Sequence, residues 1–420
     1  MKNYIVTRND NSGMSFALYV FSGARKDKIA GTAHFLEHMM VASYEDDEKE
    51  IERELLDLGV IHNAWTSGDA IKFGYVFSDS LSIYDEKVWK KSVDFFGLKF
   101  KRALDGTLFK KENINKEKSI ILNEEGLTPK DHKLFSKVFN DISTNYENHP
   151  NIVGDPDTIK KIGKTVLWDF AKNCLKQDNI FITISLPKSI SDKDVEHLVD
   201  YLFINWINVI PKGKYKSFLD NPKADIVPKL RKDLPDLMTY EGFTSDQLYS
   251  ILDSKNLTFS EHKLIAEVLH QWTFDKIRTE RSLCYASGCG AMMGFYDGKF
   301  CLSSTAEREH FDNIIDIWRK KLNNLTISHK EKTTAIMKIR VAYELSAKNA
   351  DINFIEDIIG FGDLNYLRKL LLMKEEDPNF SPYEYYKQEL HDIVLTDNSR
   401  KNRGLQTFRD LGKFLGVSML

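Results

Sequence analysis

Cysteine is scarce in this chain. Four occur in 420 residues, at Cys174, Cys284, Cys289 and Cys301, and none forms a Cys-x-x-Cys pair. That excludes a thiolate zinc module and a disulfide-stapled scaffold, and leaves reduced, partly buried thiols as the plain expectation. Long apolar runs are missing too. No stretch approaches the ~20 apolar residues that a membrane-spanning helix needs, and Met1 to Asn11 lacks the apolar centre of a secretory signal. Neither sign of charge dominates, with 59 Lys and Arg against 62 Asp and Glu. Where lysines gather, from Lys110 to Lys118, Glu and Asn interrupt them, which marks a solvated helix face. A nucleic-acid partner, which needs a concentrated basic face, is therefore not expected. Nor is a membrane, and the cytoplasm is the expected location.

What is present is a regular alternation of strand and helix patterns. The length suits two to three domains at ~150 residues each. Ser15 to Ser22 reads as a buried strand, and a short helix follows Gly31-Thr32. Asp47 to Leu58 reads as a helix with Ile51, Leu55 and Leu58 on one face, stopped by Gly59. Ile71, Phe73, Tyr75 and Phe77 alternate as in a strand with one buried face, and so do Ile180, Ile182, Ile184 and Leu186. Between them Trp89, Val93, Phe96 and Phe100 form a helical stripe, and Ser191 is placed to cap a helix carrying Val195, Leu198 and Leu202. Val209 to Pro235 holds four prolines, several lysines and no period, and reads as a linker. Beyond it come a helix with Ile265, Leu269 and Trp272, a hairpin-like stretch from Cys284 to Thr305, and a stripe of Phe311, Ile315, Trp318 and Leu322. The expected fold is α+β: two similar domains, 1–208 and 236–420 joined by 209–235, each a mixed sheet with helices mainly on one face. Asp392 to Leu420 shows no assignable pattern.

The informative segment is His34-Phe35-Leu36-Glu37-His38. Four residues apart on a helix, the two imidazoles project from one face and can chelate one ion. Glu37 lies at the edge of that face, where a carboxylate can take a proton from a water that a zinc ion has acidified towards a pKa of ~7. This reverses the order of the His-Glu-x-x-His helix and is the inverted-zincin motif. Phe35, Leu36, Met39 and Met40 flank it, so these polar groups sit on a mostly buried helix and need partners, which a metal supplies. Catalytic zinc takes three protein ligands as a rule, so a third comes from elsewhere. If Lys116 to Glu125 is helical, Ile114, Glu117, Ile121 and Glu124 share one face, putting two carboxylates among apolar residues. Glu112 and Glu125 fit a solvated face instead, and solvated glutamates are also the ordinary reading of Glu117 and Glu124.

The His34–His38 helix, followed by Ile61-His62-Asn63-Ala64-Trp65-Thr66-Ser67 and then by the Glu117/Glu124 pair, resembles the pitrilysin/insulinase family of zinc peptidases. The resemblance implies that Glu124 is the third zinc ligand and Glu117 a carboxylate that steadies a ligand or the water, with Glu117 the alternative ligand. It implies that Asn63, Ala64, Trp65 and Thr66 lie on an edge strand that binds the backbone of an extended peptide. The segment Phe274 to Tyr285 is similar to that family's arginine–tyrosine segment. The resemblance thereby implies that Arg278 holds substrate and that the Tyr285 hydroxyl stabilises the oxyanion across a closed chamber. The implied activity is hydrolysis of flexible peptides, among them leader or targeting peptides, with Zn2+ as cofactor. The implied assembly is a homodimer with Arg278 and Tyr285 acting in trans, or a heterodimer with a related subunit. The alternative function is a non-catalytic partner subunit that shapes the chamber and binds peptide.

Overall fold

The computed structural model describes residues 3–9, 13–77, 86–127, 143–144, 152–214, 229–230, 237–241, 246–253, 257–291, 299–323, 325–344, 350–361, 363–393 and 413–418. In chain order the first half comprises β1 (Tyr4–Asn9), β2 (Met14–Val20), α1 (Thr32–Val41), α2 (Asp46–Asp57), β3 (Val60–Thr66), β4 (Ile71–Phe77), α3 (Glu86–Asp105) and α4 (Lys111–Leu127). It continues with β5 (Ser143–Thr144), α5 (Pro156–Lys161), α6 (Lys164–Cys174), β6 (Ile180–Pro187) and α7 (Asp192–Leu202). The second half comprises β7 (Lys229–Leu230), β8 (Leu237–Glu241), β9 (Gln247–Asp253), α8 (Phe259–Thr273), β10 (Ala286–Ala291) and β11 (Lys299–Thr305). After these come α9 (Phe311–Asn323), α10 (His329–Glu344), α11 (Ala350–Phe361), α12 (Leu364–Glu376), α13 (Pro382–Asp392) and β12 (Lys413–Ser418).

Two five-stranded mixed sheets carry the fold, ordered β1-β6-β2-β4-β3 and β8-β12-β9-β11-β10. In each, the first strand lies parallel to the last, and the others run antiparallel through the second and fourth to the third at the edge. The two halves therefore share one topology, and the expected repeat of an α+β domain is present. The short β5 pairs with β7 in a separate ladder.

Phe16, Leu18 and Val20 of β2 face the helices α1, α3, α4 and α6 in the first core. The opposite face of the same sheet is covered as well. Ile5, Ala17, Tyr19 and Phe181 share a second core with Phe259 of α8 and with Ile352, Phe354 and Ile355 of α11. For that reason β6 is buried along its whole length, although its isoleucine alternation predicts one buried face. The partner of the other face lies far along the chain. Lys72 of β4, whose Nζ is 2.5 Å from Glu356 of α11, ties the same junction.

The stripe expected on α2 is only partly buried: Leu55 is inside, whereas Leu58, beyond the helix end, is 48% exposed. The other buried position on that helix is Glu48, held by Lys99 and Arg102 of α3. Gly59, at φ 73°, ends the turn as expected. The proposed linker 209–235 lies largely outside the described residues. So does most of 392–420, but its Lys413–Ser418 segment forms β12 inside the second sheet. Among the described residues no helix is long and apolar enough to cross a membrane.

Candidate metal centre

Helix α1 starts where the chain makes a close backbone crossing. Gly31 has φ 91°, and a Cβ there would meet the Val153 carbonyl oxygen at 2.6 Å, so only glycine fits. Asp27 Oδ1 accepts a hydrogen bond from Ala33 N at 3.0 Å and so holds the first turn. Burial pushes the Asp27 carboxyl up to about 7 despite the backbone N–H groups of Gly31, Thr32 and Ala33. Phe35, Leu36, Met39 and Met40 are fully buried, which fixes the rotation of α1 and turns His34, Glu37 and His38 towards α4 and β3.

Opposite them, Glu117 and Glu124 project from α4, two turns apart. His34 Nε2 lies 3.6 Å from Glu124 Oε1, and His38 Nε2 lies 3.3 Å from Glu124 Oε2. The Glu124 carboxylate thus straddles both imidazoles, and the candidate ligand atoms of His34, His38 and Glu124 all lie within 4.8 Å of one another. On its other side His38 Nδ1 is 3.3 Å from Glu117 Oε2, and Glu117 is buried. The two glutamates therefore differ in place. Glu124 faces both imidazoles and is 47% exposed in its side chain, and Glu117 stands behind His38.

Burial, with His38 close by, lowers the His34 pKa to about 4. Burial also works against charge on His38, but the hydrogen bond to Glu117 and the Glu37, Glu124 and Glu117 carboxylates outweigh it and raise its pKa. Glu37 is raised by burial, which the Thr66 hydrogen bond and His38 offset only in part. A metal fits this donor set. A neutral His34 facing a carboxylate at 3.6 Å makes no good hydrogen bond, and its Nδ1 and Glu117 Oε1 are buried atoms without a hydrogen-bond partner among the described residues. Three convergent lone-pair donors with solvent on one side suit Zn2+ as an open, three-ligand site.

Among the described residues β3 is an edge strand, paired with β4 alone in its sheet. Its side chains alternate as the pleat requires. His62 and Ala64 face the first core, Asn63 is exposed, and Trp65 packs towards the second core, its ring 6.3 Å from that of Tyr19. Thr66 points the same way as Ala64, and its hydroxyl donates to Glu37 Oε2 at 2.6 Å. Of the four residues expected to bind peptide, all lie on the free edge. However, Trp65 and Thr66 turn their side chains to the protein, so that at these two positions the free edge presents main chain. The contact of Thr66 with Glu37 and the half-buried Asp27 escaped the sequence reading. An acidic residue shortly before a Gly-Thr helix start is the signal for the second.

Arg278 and Tyr285 come together in the second half, the guanidinium 5.6 Å from the Tyr285 ring centre and 5.0 Å from that of Phe274. Both are exposed, Tyr285 by 79%, and Tyr285 immediately precedes the edge strand β10. Among the described residues neither contacts the His34–Glu124 cluster of its own chain.

Comparison with known proteins agrees with this geometry. Residues 4–149 match the family described as insulinase (peptidase family M16). A 167-residue segment is 26% identical to the mitochondrial-processing peptidase subunit beta of Neurospora crassa, and it is 38% of this chain but 32% of that relative. The chain thus matches about a third of its curated relative. Among solved structures, a protease from Helicobacter pylori has a similar fold at a TM-score of 0.72 and 14% identity, over 99% of this chain and 96% of that one. A peptidase M16 inactive domain from Pseudomonas fluorescens follows at 0.71 and 16%, over 99% and 93%. Pitrilysin gives 0.67 and 14%, over 99% of this chain and 43% of its own. Fold and site together define the class: repeated α+β domains with an inverted zinc motif in the first. More particularly, residues 4–149 resemble the insulinase family, and over nearly its whole length the chain shares the fold of the Helicobacter pylori protease and the Pseudomonas fluorescens domain.

Proposed function

We propose that this chain is a zinc-dependent endopeptidase acting on flexible peptides. The observation that carries the reading is the convergence of His34, His38 and Glu124 with Glu37 beside them and Glu117 behind His38. Zinc held by His34, His38 and Glu124 would supply a Lewis acid for the scissile carbonyl and bring the pKa of an attacking water to ~7. Glu37 then takes the water's proton and delivers it to the leaving amine, a role suited to a carboxyl whose pKa burial raises. The free edge of β3 holds the substrate as an added strand through main-chain hydrogen bonds, which restricts it to peptides that can be extended.

Arg278 and Tyr285 belong to this chemistry as substrate clamp and oxyanion donor. Because they stand apart from the metal cluster within one chain, we assign them to the site of a partner subunit, in a closed chamber built by a homodimer or by a heterodimer with a related chain. Likeness to a subunit named for mitochondrial processing supports leader or targeting peptides as the substrate class, and the cytoplasm remains the proposed location. A second reading, a non-catalytic subunit that shapes the chamber, is favoured by likeness to a domain described as inactive.

Metal analysis combined with a quenched peptide library decides between them. The expected result is one zinc per chain and cleavage by the wild type. Glu37→Gln should keep the zinc but cleave ~10²- to 10⁴-fold more slowly. A wild type that holds zinc and cleaves nothing supports the second reading.

A further inference from the structure

The Thr66–Glu37 contact joins the edge strand to the metal helix, and it is built rather than incidental. The turn from Ser67 to Ala70 that follows Thr66 is closed by Ser67 N donating to Ala70 O at 2.8 Å. That turn is in turn pinned to the segment Gly23–Asp27. Ala24 N donates to Ser67 O at 3.0 Å, Arg25 N donates to Gly68 O at 2.8 Å, and the Arg25 guanidinium pairs with Asp69 at 2.8 Å with both side chains largely buried. Gly23 is obligatory in this packing, since a Cβ there would lie 2.4 Å from Ser67 O. The other end of the same segment is Asp27, which holds the first turn of α1 through Ala33 N. One short stretch of chain therefore fixes the end of β3 and the start of α1 relative to each other, and with them the span from Thr66 to Glu37.

The tether at the end of this frame is short and single. Thr66 Oγ1 donates to Glu37 Oε2 at 2.6 Å, a charge-assisted distance. No other side-chain hydrogen bond reaches the Glu37 carboxylate among the described residues, so Oε1 stays available. A glutamate next to His38 in sequence has an alternative available to it, which is to swing over and ligate the metal itself. A fixed donor on Oε2 opposes that.

We propose that Thr66 is a positioning residue for Glu37: its hydroxyl holds Oε2 and so presents Oε1 to the attacking water, while the strand's main chain binds substrate. This rests on the peptidase reading above and adds to it a side-chain role distinct from peptide binding. The Thr66 side chain does not touch the substrate in this scheme. It acts through Glu37.

The test compares wild type, Thr66→Val, Thr66→Ser and Thr66→Ala for zinc content, melting temperature, kcat and KM on a cleaved reporter peptide. Valine keeps the shape and strand preference but removes the donor, and alanine covers the case in which valine crowds the carboxylate. The expected result is a kcat ~10- to 100-fold lower for Val and Ala, the range of one hydrogen bond to a charged group, with KM within ~3-fold and zinc content unchanged. Serine should return kcat to within ~3-fold of wild type. Val and Ala variants that keep the wild-type kcat would overturn the proposal, as would a kcat loss matched by a zinc loss, or a serine variant as slow as valine. A zinc-loaded wild type that cleaves no peptide removes the peptidase reading and this proposal together. An active wild type with silent Thr66 variants removes this one alone.

Discussion

His38 is held from both sides: Glu117 Oε2 stands 3.3 Å from its Nδ1 while its Nε2 faces Glu124 at the same distance. The first contact directs the ring and raises its basicity; the second joins it to the more exposed Glu124. The two glutamates should therefore fail differently. Glu124→Gln removes a charged ligand and should leave the chain without bound zinc at nanomolar free metal. Glu117→Gln keeps the ligand set and should weaken zinc by ~10- to 100-fold. Chelator competition at fixed pH measures both, and equal losses would contradict the division of roles.

Behind α1 lies a buried charge pair. Lys99 is 0% and Glu48 1% exposed, and Lys99 Nζ also donates to Ala42 O at 2.6 Å, just past the end of α1. Glu48 Oε2 in turn accepts from Tyr44 N at 2.9 Å. The pair closes the loop between α1 and α2. Removing one member strands the other in a site of low dielectric constant, so Glu48→Ala should cost ~3–5 kcal/mol in urea unfolding. The double variant Glu48→Leu with Lys99→Met should recover most of that loss, because the remaining partner of Glu48, Arg102, is 26% exposed in its side chain and can be solvated.

The sequence was most legible where a local period sets geometry. His34 and His38 project together because a helix brings round every fourth residue, and α1 is helical for reasons local to it. Glu117 and Glu124 were visible as a pair on an apolar face. Which of them ligates depends on how α4 crosses α1, a tertiary relation that no local pattern encodes. The same limit explains β6, whose second buried face meets Phe259 and Ile355 from the far half of the chain. It also explains β12, a strand whose place between β9 and β8 is set by its pairing partners. The helices α10 to α13 went unread: α12 and α13 bury mainly tyrosines and leucines set among many charges, and α10 and α11 bury mainly isoleucines, so no single residue type marks the series. Thr66 was read as part of a peptide-binding edge, and its tie to Glu37 arises from a frame made by Gly23–Asp27.

Asp27 gives a pH signature that is independent of the metal. Its folded pKa of about 7 lies above the 3.8 of an ordinary aspartate. Between those values the folded chain holds a proton that the unfolded chain has lost. The stability it contributes is full below pH ~4 and is lost as pH rises through ~7. Asp27→Asn keeps an oxygen to accept from Ala33 N but cannot ionise. Melting followed by circular dichroism in EDTA should therefore show the variant gaining on the wild type from pH 5 to pH 8. A constant difference across that range would mean that Asp27 is ionised throughout.

Arg278 and Tyr285 lie side by side on an exposed surface, apart from the metal cluster of their own chain. If they serve a partner's site in a homodimer, the defects of two inactive variants must complement. Glu37→Gln lacks the base but supplies an intact Tyr285, and Tyr285→Phe supplies an intact Glu37. In an equimolar mixture of exchanging subunits, half of the dimers are mixed, and each of those carries one complete site and one doubly defective one. Activity should then recover to about a quarter of wild type, while each variant alone stays low. No recovery on mixing, with subunit exchange shown independently by tagged chains, would place Tyr285 in the site of its own chain or outside catalysis. Recovery only when a different, related subunit is added would identify the heterodimer.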